Sequence, residues 1–191
     1  MTAPARIAGS RRRTLDFDIE CVAAGFADPA WVPVTVTAYA FSWCDEDTVT
    51  VDALPVRHFY NQRMRRRFLE PLWQALEQAD VWTGHNILRF DLPVLDGEAL
   101  KLGLPKLPAR LVQDTIGIRK IRAKKGQDVL AHVLGVVDEK LPLNWAQWEA
   151  AYGERTLATV KDRVAGDVIQ HKQLRLAMAE HGWLPRPRMR G

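Results

Sequence analysis

The run Leu15-Asp16-Phe17-Asp18-Ile19-Glu20-Cys21 alternates apolar and acidic residues in the two-residue repeat of a β-strand. Its apolar side is fit for burial, so the strand belongs at a core and carries carboxylates there with it. Asp18 and Glu20 project to one face, where like charges repel unless one is protonated or a divalent cation lies between them. The pair therefore reads as half of a Mg²⁺ or Mn²⁺ site. An amphipathic strand with Asp16, Asp18 and Glu20 as its solvated side is the other reading, and the strand by itself does not separate the two.

The segments that follow set the fold class. In Trp31 to Ser42, Val32, Val34, Val36, Ala38 and Ala40 alternate with Pro33, Thr35, Thr37 and Tyr39, which predicts a second strand. The acidic turn Cys44 to Asp47 then leads into Thr48 to Val51 and closes an antiparallel hairpin. Phe68, Leu69, Leu72, Trp73 and Leu76 recur at helical spacing and predict a helix over 68–78. Pro71 fits only a first turn, which leaves the preceding Arg63-Met64-Arg65-Arg66-Arg67 as a loop or a separate short helix. Ala79 to Thr83 reads as a short buried strand, followed by a helix over 92–102 that Gly103 stops. Leu111 to Asp114 is another strand, Gln127 to Leu134 a short helix ended by Gly135, and 154–181 a long final helix. A hairpin followed by alternating strands and helices predicts an α/β fold around a mixed central sheet with flanking helices.

A chain of 191 residues with 47% hydrophobic and 26% charged residues is expected to form one domain, here 14–183, with a real core. Residues 1–13 read as a basic disordered arm and 184–191 as a basic tail. There is no apolar run of membrane-spanning length and no apolar secretory stretch, so the expected location is the cytoplasm. Cys21 and Cys44 are too few for a disulfide framework or a thiolate zinc site. The net charge of +4 is clustered in Arg11 to Arg13, Arg63 to Arg67, Arg119 to Lys125 and Arg186 to Arg190. Singly these are solvated faces or frayed ends. Around an acidic metal site they would form a phosphate-backbone footprint whose binding weakens with salt.

Two further carboxylates join the pair. Gly84-His85-Asn86 leaves a buried strand and delivers Asp91 to a helix start, where backbone N–H groups can aim it, though plain capping explains the same placement. Asp167 and His171 occupy a gap in the stripe Val160, Val164, Leu174 and Met178, and an inward carboxylate needs a partner. That partner is a cation site, or simply a Lys, an Arg or His171.

In order and context, the four carboxylates resemble the DEDD superfamily of 3′-to-5′ exonucleases, whose fold is ribonuclease H-like. Phe17-Asp18-Ile19-Glu20 matches its first motif. His85-Asn86-Ile87-Leu88-Arg89-Phe90-Asp91, extended by Leu92-Pro93, matches its second. The likeness runs from Thr14 to about Ala179 and is nearest to exonucleases, often of phages, related to the proofreading domain of family-B DNA polymerases. It implies two Mg²⁺ or Mn²⁺ ions on Asp18, Glu20, Asp91 and Asp167 that activate water for in-line phosphoryl displacement. The substrate it implies is nucleic acid, single-stranded DNA above all, shortened from its 3′ end in a cytoplasm, the host's if the chain is phage-encoded. Asn86 and Phe90 would hold the terminal nucleotide and Arg89 a phosphate, although Phe90 suits a core equally and Arg89 a solvated surface.

The third motif departs from the pattern. The family places a Tyr four residues, or a His five residues, before the last Asp, and Arg163 and Asp162 stand there. The water-activating base is thereby unassigned. His171, one helical turn past Asp167, is a substitute candidate or a packed helix residue. A weakly active or inactive nucleic-acid-binding module and an RNA exonuclease on the same fold remain alternatives. Trp73 and Trp82 read as core, while Trp145 and Trp148 are the candidates for base stacking.

Overall fold

Both faces of the central sheet are covered, and its first strand decides what each face carries. The computed structural model describes residues 12–23, 34–118, 126–136 and 157–190. Strand β1 (Thr14–Ala23) pairs antiparallel with β2 (Val34–Trp43) and parallel with β4 (Val81–Gly84). With β3 (Thr50–Ala53), β5 (Arg110–Asp114) and β6 (Arg188–Arg190) the six-stranded sheet has the order β3-β2-β1-β4-β5-β6. Strands β1, β4 and β5 run parallel, so their C-terminal ends share one end of the sheet. The mixed sheet with a hairpin is the α/β arrangement expected from the order of elements.

Leu15, Phe17 and Ile19 of β1 are buried on one face, where Tyr39, the partner of Ile19, meets Phe68 of helix α1 (Gln62–Gln78) at 5.0 Å between ring centroids. On the acidic face lies helix α4 (Ala158–Glu180), whose His171 contacts Asp16. Helix α2 (Asp91–Leu102) ends at Gly103, which takes the left-handed conformation (φ 63°) while Leu104 donates to the Ala99 carbonyl. Helix α3 (Gln127–Val133) packs on α4 and ends before Gly135, also left-handed.

Two expectations are corrected. Helix α1 begins at Gln62 rather than Phe68, so the basic run 63–67 is its first part and Pro71 lies in its interior. Asn61 caps the helix through the Met64 N–H (3.1 Å), and Pro71 is exposed, so the carbonyl it leaves without a helical donor faces water. The basic segment after 184 is not a tail: Arg188, Met189 and Arg190 pair with Val112, Leu111 and Arg110. Of the arm expected over 1–13, Arg13 is held by its N–H bond to Asp80 (2.8 Å), while residues 1–11, the basic run 119–125, the start of the last helix before 157, and Trp145 and Trp148 lie outside the described residues.

Candidate metal centre

Asp18 and Glu20 leave β1 toward α4, with the small Ala40 and Ala38 opposite them on β2. Asp167 meets them from α4. Each of the three residues offers a carboxylate oxygen within 4.8 Å of the others, and among the described residues they form the one such acidic group. Asp167 is buried and the other two are half-buried. Gln127 of α3 fixes this part of α4 by donating to the Asp167 carbonyl (2.8 Å) and to Gln170 (2.9 Å). An all-oxygen, all-carboxylate set suits a hard divalent cation such as Mg²⁺ or Mn²⁺ and not a thiolate-seeking metal.

Asp91 stands beside this group rather than within it. It is 1% exposed, and its Oδ1 accepts the N–H of Ile19, the residue between Asp18 and Glu20, at 3.2 Å. Burial pushes its carboxyl up to about 7, with Asp114 and Glu20 adding to the rise and the N–H bonds from Ile19 and its own backbone opposing it.

The loop that delivers Asp91 is closely determined. A Cβ at Gly84 would meet the Ile87 side chain and come within 2.8 Å of the Phe17 carbonyl, so no larger residue fits. Asn86 takes the left-handed conformation (φ 67°), which its short amide side chain tolerates. Its carbonyl then accepts the N–H groups of Arg89 and Phe90, both at 3.1 Å. Asp114 at the end of β5 accepts the N–H groups of Asn86 (2.7 Å), Leu88 (3.0 Å) and Ile116 (3.1 Å), clamping the loop to the sheet. Ile87 is fully buried as the anchor, whereas Arg89 and Phe90 are on the surface, Phe90 44% exposed.

The third-motif position carries a cation. Arg163 Nε lies 3.1 Å from Asp167 Oδ2, one helical turn away. His171 is engaged elsewhere: Nδ1 meets Asp16 Oδ1, and Nε2 lies 3.1 Å from Thr115 Oγ1. The Thr115 hydroxyl donates to the Gly84 carbonyl (3.2 Å) and also contacts His85 Nδ1 (2.9 Å). Through these contacts His171 links Asp16 of β1 to Thr115, just past the end of β5.

Asp16, read from sequence as one of a polar strand face, is fully buried. Burial pushes its carboxyl up, but His171, Arg175 (3.3 Å) and the Cys44 thiol (2.9 Å) more than reverse this, and its pKa is lowered. Sequence reasoning missed both Asp16 and Thr115 as determinants of the site. The available signal was His171 and Arg175 at one-turn spacing on the face of α4 that meets β1.

No family model and no curated protein sequence matches the chain. Among solved structures, the chain is similar to the family B DNA polymerase from the hyperthermophilic archaeon Pyrobaculum calidifontis, with a TM-score of 0.69 and 22% sequence identity. The match covers 89% of this chain and 25% of the polymerase, so the chain spans about a quarter of that protein's length. This likeness and the sheet order establish the ribonuclease H-like α/β fold. Among the described residues, no helix is long and apolar enough to cross a membrane.

Proposed function

We propose that the chain is a metal-dependent 3′-to-5′ exonuclease that hydrolyses phosphodiester bonds of single-stranded DNA and releases nucleoside monophosphates. The observation that carries this reading is the convergence of Asp18, Glu20 and Asp167 at the end of the sheet where a surface loop presents Asn86, Arg89 and Phe90. A nucleic-acid 3′ end has a phosphodiester for the first group and a sugar and base for the second.

Asp18, Glu20 and Asp167 would hold the first Mg²⁺ or Mn²⁺ ion, and Asp91, once ionised, would join them as a ligand. Two such ions, when bound, lower the pKa of the attacking water and neutralise charge developing on the phosphoryl oxygens. The protein's own contribution is placement. Asn86 offers its amide and Phe90 its exposed ring to the terminal nucleotide, and Arg89 offers a planar fork to a phosphate. His171, held between Asp16 and Thr115, acts as a positioning residue that fixes α4, and hence Asp167, against β1. The domain over 14–183 is extended by β6, and kinship with phage-type exonucleases related to polymerase proofreading domains, acting in a cytoplasm, belongs to the same proposal.

The test is incubation of the purified chain with end-labelled single-stranded DNA, duplex DNA and RNA in Mg²⁺, Mn²⁺ or chelator. The expected result is stepwise shortening of single-stranded DNA from the 3′ end, abolished by chelator and by Asp18→Ala. Metal-independent binding without shortening would overturn the assignment in favour of a binding module, and preferential shortening of RNA would move the substrate.

A further inference from the structure

Strand β6 does more than extend the sheet. It runs antiparallel to β5 with Arg188 opposite Val112, so the segment entering it passes the end of the sheet where the metal centre lies. There it meets the Leu88-Arg89 part of the loop that leads to Asp91, enclosing a cleft of ≈ 330 Å³. A second depression of ≈ 440 Å³ shares Pro185, Arg186 and Arg188 with the first and is bounded by Trp183. Both are within the size range of ligand pockets, about 300–1,000 Å³.

The groove is cationic. Arg89, Arg186 and Arg188 line it and are exposed, and the one carboxylate in its wall, Asp114, is 6% exposed and taken up by backbone N–H groups. Among the described residues no ion pair or hydrogen bond engages these three guanidinium groups. The neighbouring arginines are employed in the fold: Arg190 pairs with Asp96, and Arg110 donates to the carbonyls of Ala79 and Glu77. Beside the first group stands Trp183, 49% exposed. A positive track with an exposed aromatic ring is the combination that binds single strands, the guanidinium groups taking phosphates and the ring a base. A duplex has no free base face to offer the ring.

We infer that the β6 groove of Arg89, Trp183, Arg186 and Arg188 binds the single-stranded polynucleotide that trails from the metal centre, an inference that rests on the nuclease reading above. Arg89 belongs to both places, so a strand whose 3′ end reaches the carboxylates crosses Arg89 and continues toward β6.

The experiment measures binding of the full chain to labelled single strands of about 15 nucleotides and to a duplex of equal length, in chelator across a salt series. Arg186→Ala with Arg188→Ala is expected to weaken single-strand binding on the order of tenfold at about 0.1 M salt and to lower the salt slope by about 1.4, two contacts at ~0.7 each. The corresponding Lys pair is expected to keep the slope, which separates lost charge from lost folding. Trp183→Ala is expected to weaken the single strand and not the duplex. Arg63→Ala with Arg66→Ala removes the same charge from the outer face of α1, where Glu70 and Glu77 line the same depression, and is expected to change nothing. Equal weakening by the two Ala pairs, unchanged binding in the β6 pair, or tighter binding of duplex would overturn the groove. Hydrolysis in Mg²⁺ distinguishes the two readings. Shortening by a wild-type chain whose β6 variants bind normally removes the groove alone, and groove-dependent binding without shortening removes the exonuclease alone.

Discussion

Replacing Asp91 by Asn should stabilise the metal-free protein at alkaline pH while removing its activity. The Asp91 carboxyl is pushed from its ordinary 3.8 up to about 7, first by burial and then by the charges of Asp114 and Glu20. The native state therefore holds this proton more tightly than the unfolded chain. Between 3.8 and about 7 the unfolded state binds fewer protons, so stability falls as pH rises. At about 1.4 kcal/mol per pH unit, ionising Asp91 inside the fold costs about 4 kcal/mol. That contribution is fully present below 3.8 and lost by the time pH passes about 7. Asparagine never ionises, and its carbonyl oxygen can still accept the Ile19 N–H. Urea unfolding in chelator, at pH 5 and at pH 8, is expected to show the variant gaining 2–4 kcal/mol (roughly) on the wild type over that interval. Other titrating groups cancel in the difference. Added Mg²⁺ should recover the wild type at pH 8, because a ligand that binds only the folded state stabilises it by mass action. A difference between the two proteins that does not change with pH would refute the reasoning.

Gly84→Ala places a methyl group against the Phe17 carbonyl (2.8 Å) and the Ile87 side chain, so it should cost about 1–3 kcal/mol in denaturant and lower turnover by displacing the Asp91 loop. Glu98 is fully buried and accepts from Arg65 at 2.5 and 2.7 Å and from Lys101 at 3.2 Å. Glu98→Leu alone strands the Arg65 guanidinium and should cost about 3–5 kcal/mol, whereas pairing it with Arg65→Met should recover most of that stability, read from unfolding midpoints.

The parts of the fold legible in the sequence are those set by neighbours in the chain. The period of β1, the tight loop from Gly84 and the Gly103 stop of α2 are local patterns, and each stands where it was expected. The parts that were not legible depend on distant partners. Helix α1 starts early because Arg65, read as part of a charge run, is carried inward to Glu98 of α2. Asp16 looks like Asp18 and Glu20 in sequence, yet His171 and Arg175 reach it from the other end of the chain and convert it into an interior ion pair. Strand β6 has only Arg188, Met189 and Arg190, with no apolar alternation to announce it; the open edge of β5 creates it.

The charge balance of the acidic face bears on how many ions it holds. Asp16 is offset by His171 and Arg175 and takes no part. Asp18, Glu20 and Asp167 bring three carboxylates together, and among the described residues Arg163 sets a positive charge against Asp167. A Tyr in place of Arg163 would leave the face one unit more negative. Arg163 therefore opposes the second ion through its Coulomb field, and the scissile phosphate is the group that can restore the balance when substrate arrives. Arg163→Tyr removes that opposition. Calorimetric titration with Mn²⁺ at pH 8 and without substrate should find the second ion bound more tightly by the variant than by the wild type. Equal binding of the second ion by the two proteins would show that the guanidinium serves only to hold Asp167 in place.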